Sequence, residues 1–503
     1  MKRAIFLGVA FLTFFAGFLA FASSDEPLEI GNRRELFVDN YLISKMENVE
    51  LLTHRPERKN LAMIFDKPWE GDSQNYFAAL FDGSKYRLYY HAWGQKIAHP
   101  LTIACIESDD GINWIHPELG LHEFNGNSAN SIVINEVKPN LSAHDFSPFL
   151  DLKPGVPEDE KFKAIGFAWD GSDSSRNGLY AWKSPDSIHW TLMQDDPVYT
   201  SGAFDTQNIT FWSTQEGRYV LYYRDFKGNT RIIKRAVSDD YLHWVDQGEI
   251  QFPDGDGPIE RVQFYTNQIA PYYRAPHIYI GFPARYVDNG LTKSTELLPE
   301  WGERQERIAA SQRYGTAVTD SIFISSRDGI NFKTSNDVFV APGLHTAHNW
   351  FYGDNYLAWT VLETKSTDDD SPNELSIYSV ESYQTNGDSR LRRYALRIDG
   401  FGSLHAKSIE GVVETKPLVF AGNELSLNVA TSAAGFVRVE VLSEDGTVVD
   451  GFSSEDCDMI YGDSLDRRVS WKGKSDMSAL QGKPIKLRFL MKEADIYSLK
   501  WEE

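Results

Sequence analysis

Four segments of this 503-residue chain repeat one pattern, S-x-D-x-[IL]-[NH]-[WF]. They are Ser108-Asp109-Asp110-Gly111-Ile112-Asn113-Trp114, Ser184-Pro185-Asp186-Ser187-Ile188-His189-Trp190, Ser238-Asp239-Asp240-Tyr241-Leu242-His243-Trp244 and Ser326-Arg327-Asp328-Gly329-Ile330-Asn331-Phe332. Serine and aspartate at this spacing can hydrogen-bond the amides of a tight turn, glycine in two copies permits positive φ, and the aromatic residue can pack between sheets. Copies with one fixed internal spacing predict a repeated β architecture in which each segment turns between two outer strands. Taken alone, each copy is structural.

A second repeat carries more polar residues. Asp72-Ser73-Gln74-Asn75 returns as Asp205-Thr206-Gln207-Asn208, and each Asp stands 14 positions before a Tyr that opens an apolar run, residues 86–90 and 219–223. A short apolar strand and a turn lie between them, so each unit reads as strand, hairpin, aromatic strand. The two repeats together predict an all-β chain, a five-bladed β-propeller followed by a C-terminal β-sandwich. Blades are expected at 72–121, 145–199, 205–252 and 265–339, the last with a polar insertion around 289–312. A fifth is expected from strands at 355–359, 375–379 and 391–397. The strand-like stretch 36–43 is expected to complete the last blade. From residue 411 strict alternation takes over and predicts an antiparallel sandwich. The expected domains are a signal peptide at 1–22, the propeller at 28–410 and the sandwich at 411–503, with no helix longer than a couple of turns.

Net charge is −22 with no Lys/Arg block, which excludes the basic stripe a nucleic-acid partner needs. The two cysteines, Cys105 and Cys457, lie far apart with no ligand spacing, so no metal site and no cofactor is expected, a structural calcium ion being left open. Lys2, Arg3, an apolar run and Ala20-Phe21-Ala22 read as an export signal with its cleavage site. A secreted or periplasmic monomer is expected, without a stable membrane partner once the signal is removed.

In a propeller blade, residues that open strand one or end strand two ring a common funnel. Strand openings supply Asp72 with Gln74 and Asn75, His144-Asp145, Asp205 with Gln207 and Asn208, Asn267, and His348-Asn349. Strand-two ends supply His91, Trp93, Trp169, Asp170, Arg224-Asp225, Arg285 and Glu363. Carboxylates interleaved with Trp, His and Arg suit a pocket that grips a polyhydroxylated ring and works on it with acid and base. Glycoside hydrolysis needs two carboxyl groups flanking one bond. Trp93 and Trp169 serve either as sugar platforms or as packing between blades. The histidines are expected to be hydrogen-bonded and not metal ligands.

The export signal, five blades, an Asp on the first strand of blade one, Tyr223-Arg224-Asp225 and a trailing sandwich resemble the five-bladed glycoside hydrolases of families 32 and 43, over residues 28–503. The resemblance implies Asp72 as base or nucleophile and a second, orienting Asp at Asp145 or Asp205. Arg224-Asp225 resembles the Arg-Asp pair of family 32. The implied proton donor is a Glu, for which Glu363, Glu260 and Glu374 are eligible, none of them in the families' Glu-Cys or Glu-Gly-Pro context. A glycoside hydrolase acting on a poly- or oligosaccharide is the leading expectation. A non-catalytic propeller binding glycan or protein is the alternative, and a phosphorolytic enzyme is disfavoured by export.

Overall fold

In the computed structural model, which describes residues 26–94, 99–255, 257–368, 370–385 and 389–503, all four S-x-D-x segments are turns between the last two strands of a sheet. The expected export signal lies outside the described residues. Each turn is built alike. In the first, Asp110 Oδ1 accepts from the amides of Ile112 and Asn113, both at 2.8 Å, and Ser108 Oγ accepts from Gly111 N at 2.9 Å. Asp186, Asp240 and Asp328 accept the same pair of amides in their own turns. The residue after the Asp has positive φ in every copy: 70° at Gly111, 63° at Ser187, 71° at Tyr241 and 70° at Gly329. Two copies therefore carry a side chain where glycine is the relaxed choice. The turns also latch neighbouring sheets. Tyr89 donates to the carbonyl of Ser187 and Tyr222 to that of Gly329, at 2.5 and 2.6 Å, and Tyr378 donates to that of Gly111.

Five sheets follow one another along the chain. Sheet I holds Ser73–Phe81, Tyr86–Trp93, Thr102–Ser108 and Ile132–Ile134, and sheet II holds Ser142–Ala143 with Ser147–Leu150, Phe162–Trp169, Gly178–Ser184 and Thr191–Leu192. Sheet III holds Ile209–Ser213, Arg218–Lys227, Thr230–Ser238 and Val245–Glu249. In sheet IV the first two strands are each broken in two, Val262–Phe264 with Ala270–Tyr272 and Ala275–Gly281 with Ala284–Asp288, before Ala317–Ser326 and Phe332–Val340. Sheet V holds Leu362–Thr364, Glu374–Glu381, Arg390–Leu396 and Glu57–Ile64.

Their contacts run in a closed cycle, the arrangement of a β-propeller. Tyr219 reaches Asp151 from sheet III to II at 2.6 Å, Ser321 of sheet IV donates to the carbonyl of Asn355 at 2.9 Å, and Trp359 N meets the carbonyl of Phe77 at 2.8 Å to join the last sheet to the first. The Tyr89 and Tyr222 latches close the remaining joints. Buried aromatic and aliphatic side chains fill the spaces between sheets.

The strand that completes sheet V is Glu57–Ile64, and not the 36–43 stretch expected from the sequence. Its opening, Glu57-Arg58-Lys59-Asn60, is polar because an outer edge strand needs backbone pairing more than apolar burial, so hydropathy does not flag it. Leu36 pairs instead with Ser498 in a separate ten-stranded sheet. That sheet takes Leu28–Gly31, Glu35–Leu36, Ile43–Glu47 and Val49–Thr53 from before the ring and Gly402–Ala406 onward from after it, so a boundary at 410/411 cuts through it. Its central strand, Ile485–Glu502, pairs with Glu424–Ser443 along most of its length over a core that includes Phe489, Ile496 and Trp501.

Two buried carboxylates pin this sheet to the ring. Asp399 accepts from Tyr272 Oη at 2.7 Å and Ser498 Oγ at 2.8 Å and lies 3.2 Å from Arg34 and 3.1 Å from Arg274. Glu35, wholly buried, meets Arg33 at 2.7 Å, His277 at 3.1 Å and Arg327. Burial works to raise the Glu35 pKa, but the hydrogen bonds and charges of His277 and Arg327 prevail and lower it from 4.5 to about 2. A depressed folded pKa stabilises the protein above the unfolded value and ceases to do so as pH falls through the folded one. Between pH 4.5 and about 2 this carboxylate should therefore withdraw stabilisation, on the order of 3 kcal/mol. Denaturant melts across that window should show Glu35→Gln losing less stability than the wild type. Parallel losses would exclude Glu35 as the acid-sensitive group.

The polar insertion of sheet IV folds into helices Lys293–Glu296, Trp301–Ala310 and Gln312–Thr316. Arg304, fully buried in the second, donates to the carbonyls of Pro299, Gly315 and Trp350 at 2.8, 3.2 and 2.6 Å, and Arg307 donates to that of Tyr383. The helices are thereby clamped to residues that border the ring's axis. Sequence reasoning did not anticipate this element, because its one long helix has a polar surface without an apolar stripe.

Candidate active site

A cavity of about 600 Å³ opens at one end of the ring, lined by Tyr76, His91, Trp93, Leu101, Ser142, His144, Phe167, Trp169, Asp205, Tyr265, Arg313, Tyr314, Tyr352, Tyr383 and Gln384. Strand geometry puts them there. Trp93 and Trp169 end the second strands of sheets I and II, His144 sits in the break of the first strand of sheet II, and Asp205 precedes the first strand of sheet III. Tyr76 lies in the first strand of sheet I at φ 53°, where the register shifts between Asn75 and Ala78. Trp169 is 52% exposed, which leaves an aromatic face free at the rim.

The charged centre is a chain of two carboxylates joined by an imidazole. His144 Nε2 lies 3.0 Å from Asp205 Oδ1, and its Nδ1 lies 3.9 Å from Asp145 Oδ1. Burial opposes a charge on His144, but Asp145 and Asp205 outweigh it and raise the pKa to about 9, so the ring is an imidazolium at neutral pH. Desolvation by the surrounding cavity wall works to raise Asp205 even though its side chain is largely exposed, yet His144 together with Arg224 and Arg313 brings it below its ordinary value. Asp145 is completely buried and raised by that burial, while amides of Phe167 and Asn208 bond it at 2.8 and 2.9 Å. His91 donates from Nδ1 to the carbonyl of His144 at 3.1 Å, and burial with the nearby imidazolium lowers it to about 3, leaving it neutral.

Arginines gather behind Tyr265. Arg231 and Arg224 lie 4.6 and 5.2 Å from its ring, and Tyr352 donates to its hydroxyl at 3.0 Å. Burial and Asp205 push this phenol up, but Arg224, Tyr352 and Arg231 win and bring it below 10.

Of the residues expected from the sequence, Asp205, His144, His91, Trp93 and Trp169 line the cavity, and Asp145, Asn208 and Arg224 support them from behind. Asn208 holds Asp145, and Arg224 lies 3.9 Å from Asp205 while bonding the carbonyl of Ala203. Asp72 does not share the cavity with Asp205: it is buried behind the wall, accepts from Ser73 Oγ at 3.0 Å, and its amide bonds the Trp93 carbonyl. Gln74 bonds the carbonyl of Glu70 at 2.6 Å, and Asn75 that of Gly353 at 3.2 Å. Gln207 bonds the carbonyl of Phe77 at 3.1 Å and accepts from Gln268 at 2.6 Å, a brace across the ring's axis. Asn75, Gln207 and Asn208 thus hold sheets together, Gln74 braces its own lead-in, and none of them lines the cavity.

The remaining residues lie away from the cavity, each for a local reason. Leu357 and Trp359 make single bridges that lead into Leu362–Thr364, the first strand of sheet V, and Glu363 lies at the opposite mouth, bonded to Asn373 at 2.8 Å and to Tyr273. Glu260 is exposed in the 259–262 turn, and Glu374 pairs with Arg393. Asp225 caps its own strand end through the Phe226 amide, Arg285 pairs with Asp320, and Asn267 accepts from Ile269 N. His348 lies 3.1 Å from Ser382, and Asn349 bonds the carbonyls of Pro342 and Leu344. None of these lines the cavity.

No protein-family model and no curated protein matches the chain. Among solved structures it is similar to an N-acetylgalactosamine deacetylase from F. plautii in complex with blood group B trisaccharide, at 11% identity over 69% of this chain and 95% of that one, with a TM-score of 0.44. It is similar to the GH32 beta-fructofuranosidase of Bombyx mori at 8% identity, covering 90% and 94%, with a TM-score of 0.40. It is also similar to a family 43 arabinoxylan arabinofuranohydrolase from Bacillus subtilis in complex with cellotetraose, at 12% identity, covering 86% and 96%, with a TM-score of 0.39.

Sequence reasoning missed most of the aromatic wall. Tyr76 directly follows Asn75, and Arg313-Tyr314 lie at the end of an insertion that interrupts one blade, so both had a signal. Tyr352 and Tyr383 come from connections between strands and had none. Among the described residues, no group of three or more His, Cys, Asp or Glu is placed to hold a metal ion. Cys105 and Cys457 are buried and unpaired.

Proposed function

We propose that the protein is a secreted, monomeric glycoside hydrolase, a five-bladed β-propeller with an attached β-sandwich, whose substrate sugar occupies the cavity over Asp205. The observation that carries this reading is the ionised Asp205 carboxylate, held by the cationic His144 at 3.0 Å in a cavity walled by indole and phenol rings. Aromatic faces stack on sugar rings, and an oriented carboxylate can attack the anomeric carbon or activate a water beside it. The leaving oxygen then takes its proton from His144 or from a phenol of the wall. The apolar run at 4–19, its basic flank and Ala20-Phe21-Ala22 support export.

A second reading has its own observation. Paired-carboxylate hydrolysis needs two carboxyl groups at the scissile bond. Among the described lining residues Asp205 is the one carboxylate, and Asp145 lies behind His144. That favours a glycan-binding propeller without turnover. Reducing-sugar release from a glycan panel separates the two, with calorimetric titration of the same glycans alongside. Trp169→Ala should weaken binding by about tenfold in either case, the loss of one exposed stacking face. Titration heats without release would establish the binding protein, and a Trp169→Ala protein with unchanged affinity would remove the rim from the binding site.

A further inference from the structure

The cavity is cationic in a strongly anionic protein. Formal net charge over the chain is −22, yet His144, Arg224, Arg231 and Arg313 converge on Asp205 and Tyr265, with buried Asp145 as the second carboxyl group. Arg313 lines the cavity itself. Its hydrogen-bond partners are the hydroxyls of Tyr314 at 3.2 Å and Tyr352 at 3.5 Å, and no described carboxylate lies within 4.0 Å of its guanidinium. Arg231 bonds the Gln263 amide oxygen at 2.6 Å, again without a described carboxylate, and Arg224 comes no nearer to one than 3.9 Å, at Asp205. Arg224 and Arg313 thus share one accessible carboxylate, and Arg231 has no described carboxylate within 4.0 Å. Arg34, Arg87, Arg327 and Arg393, buried or half-buried elsewhere in this chain, each sit with an acidic partner, and Arg304, which has none among the described residues, is satisfied by three backbone carbonyls. A binding cavity that leaves its arginines uncompensated is matched to a ligand that brings the negative charge.

Resting on the glycan-site reading above, we infer that the cavity takes an anionic sugar, one bearing a carboxylate or a sulfate group, with Arg313 contacting that group and Arg224 and Arg231 adding charge from behind Tyr265. A planar guanidinium on the wall suits either oxyanion, since both offer paired acceptor oxygens. A neutral sugar of the same shape would leave the arginine charge without a counter-ion in a partly enclosed cavity.

Matched pairs of ligands test this by calorimetric titration. Oligogalacturonate against its methyl ester removes the carboxylate charge and adds one methyl group, and a sulfated galactan oligosaccharide against its desulfated form removes the sulfate. At least one anionic member should bind ten- to a hundredfold more tightly than its neutral partner, and the pair that shows it identifies the oxyanion. Arg313→Gln should abolish that preference by weakening the anionic member far more than the neutral one, and Arg313→Lys should keep part of it. Equal affinity within both pairs overturns the inference, as does an Arg313→Gln protein that keeps the preference or loses both members alike. Tight neutral binding with turnover would sink the anionic specificity and leave the hydrolase standing. Preferential anionic binding without turnover would do the reverse.

Discussion

Asp205→Asn is expected to lower the turnover of any cleaved glycoside by about three orders of magnitude while the protein stays folded. Asparagine keeps the size and can still meet His144, but it can act neither as base nor as nucleophile. The Asp205 side chain is 64% exposed, so no packing is lost with its charge. The substitution should also be visible in His144. Two carboxylates hold that proton to about pH 9, and with one removed the titration must move towards neutrality. In the wild type the imidazolium is favoured by folding, a contribution fully present below 6.5 and lost as pH rises through about 9, so activity should decline over the same alkaline range. Turnover on the substrate panel and the NMR titration of His144 check both halves. An Asp205→Asn enzyme with wild-type turnover would remove Asp205 from the chemistry. An unchanged His144 titration would break the proposed electrostatic chain.

A chain ended at residue 410 should yield no soluble protein. It would lack Leu418–Phe420, Ile485–Glu502 and Gly411–Thr415, the partners of Leu28–Gly31, Glu35–Leu36 and Ile43–Glu47 in turn. Phe37, Leu404 and their neighbours would lose the facing half of a shared core. Asp399 would keep Arg34, Arg274 and Tyr272 but lose Ser498 and Asn428. Hydrogen bonds to a buried charged group are worth about 1.5 to 3 kcal/mol each, a large part of the stability of most folded proteins. Soluble expression of the shortened chain, with a cooperative melt near that of the full one, would mean that the ring is self-sufficient.

The legible part of this fold is what repeats. Asp110, Asp186, Asp240 and Asp328 do the same local job, and local turn chemistry is written in adjacent residues. The strand-end rule then picked out His91, Trp93, Trp169, His144 and Asp205, which line one cavity. It misled where strand direction was misjudged, as at Glu363, and where a polar residue had a structural duty, as with Gln74 and Gln207. Tyr352, Tyr383 and Arg313 reach the cavity from connections and an insertion, whose placement depends on distant partners such as Arg304 and Trp350. No periodicity records such contacts.

The outer position of Glu57–Ile64 in sheet V has a kinetic consequence. This strand is synthesised before every other strand of the ring and pairs with Arg390–Leu396, more than three hundred residues later in the chain. Just ahead of it, Leu28–Gly31 waits for Leu418–Phe420. Closing loops of that size is slow, and until they close both segments present unsatisfied backbone edges that other chains can recruit. Refolding from denaturant should therefore be limited by one late, concentration-sensitive step, in which ring closure competes with aggregation.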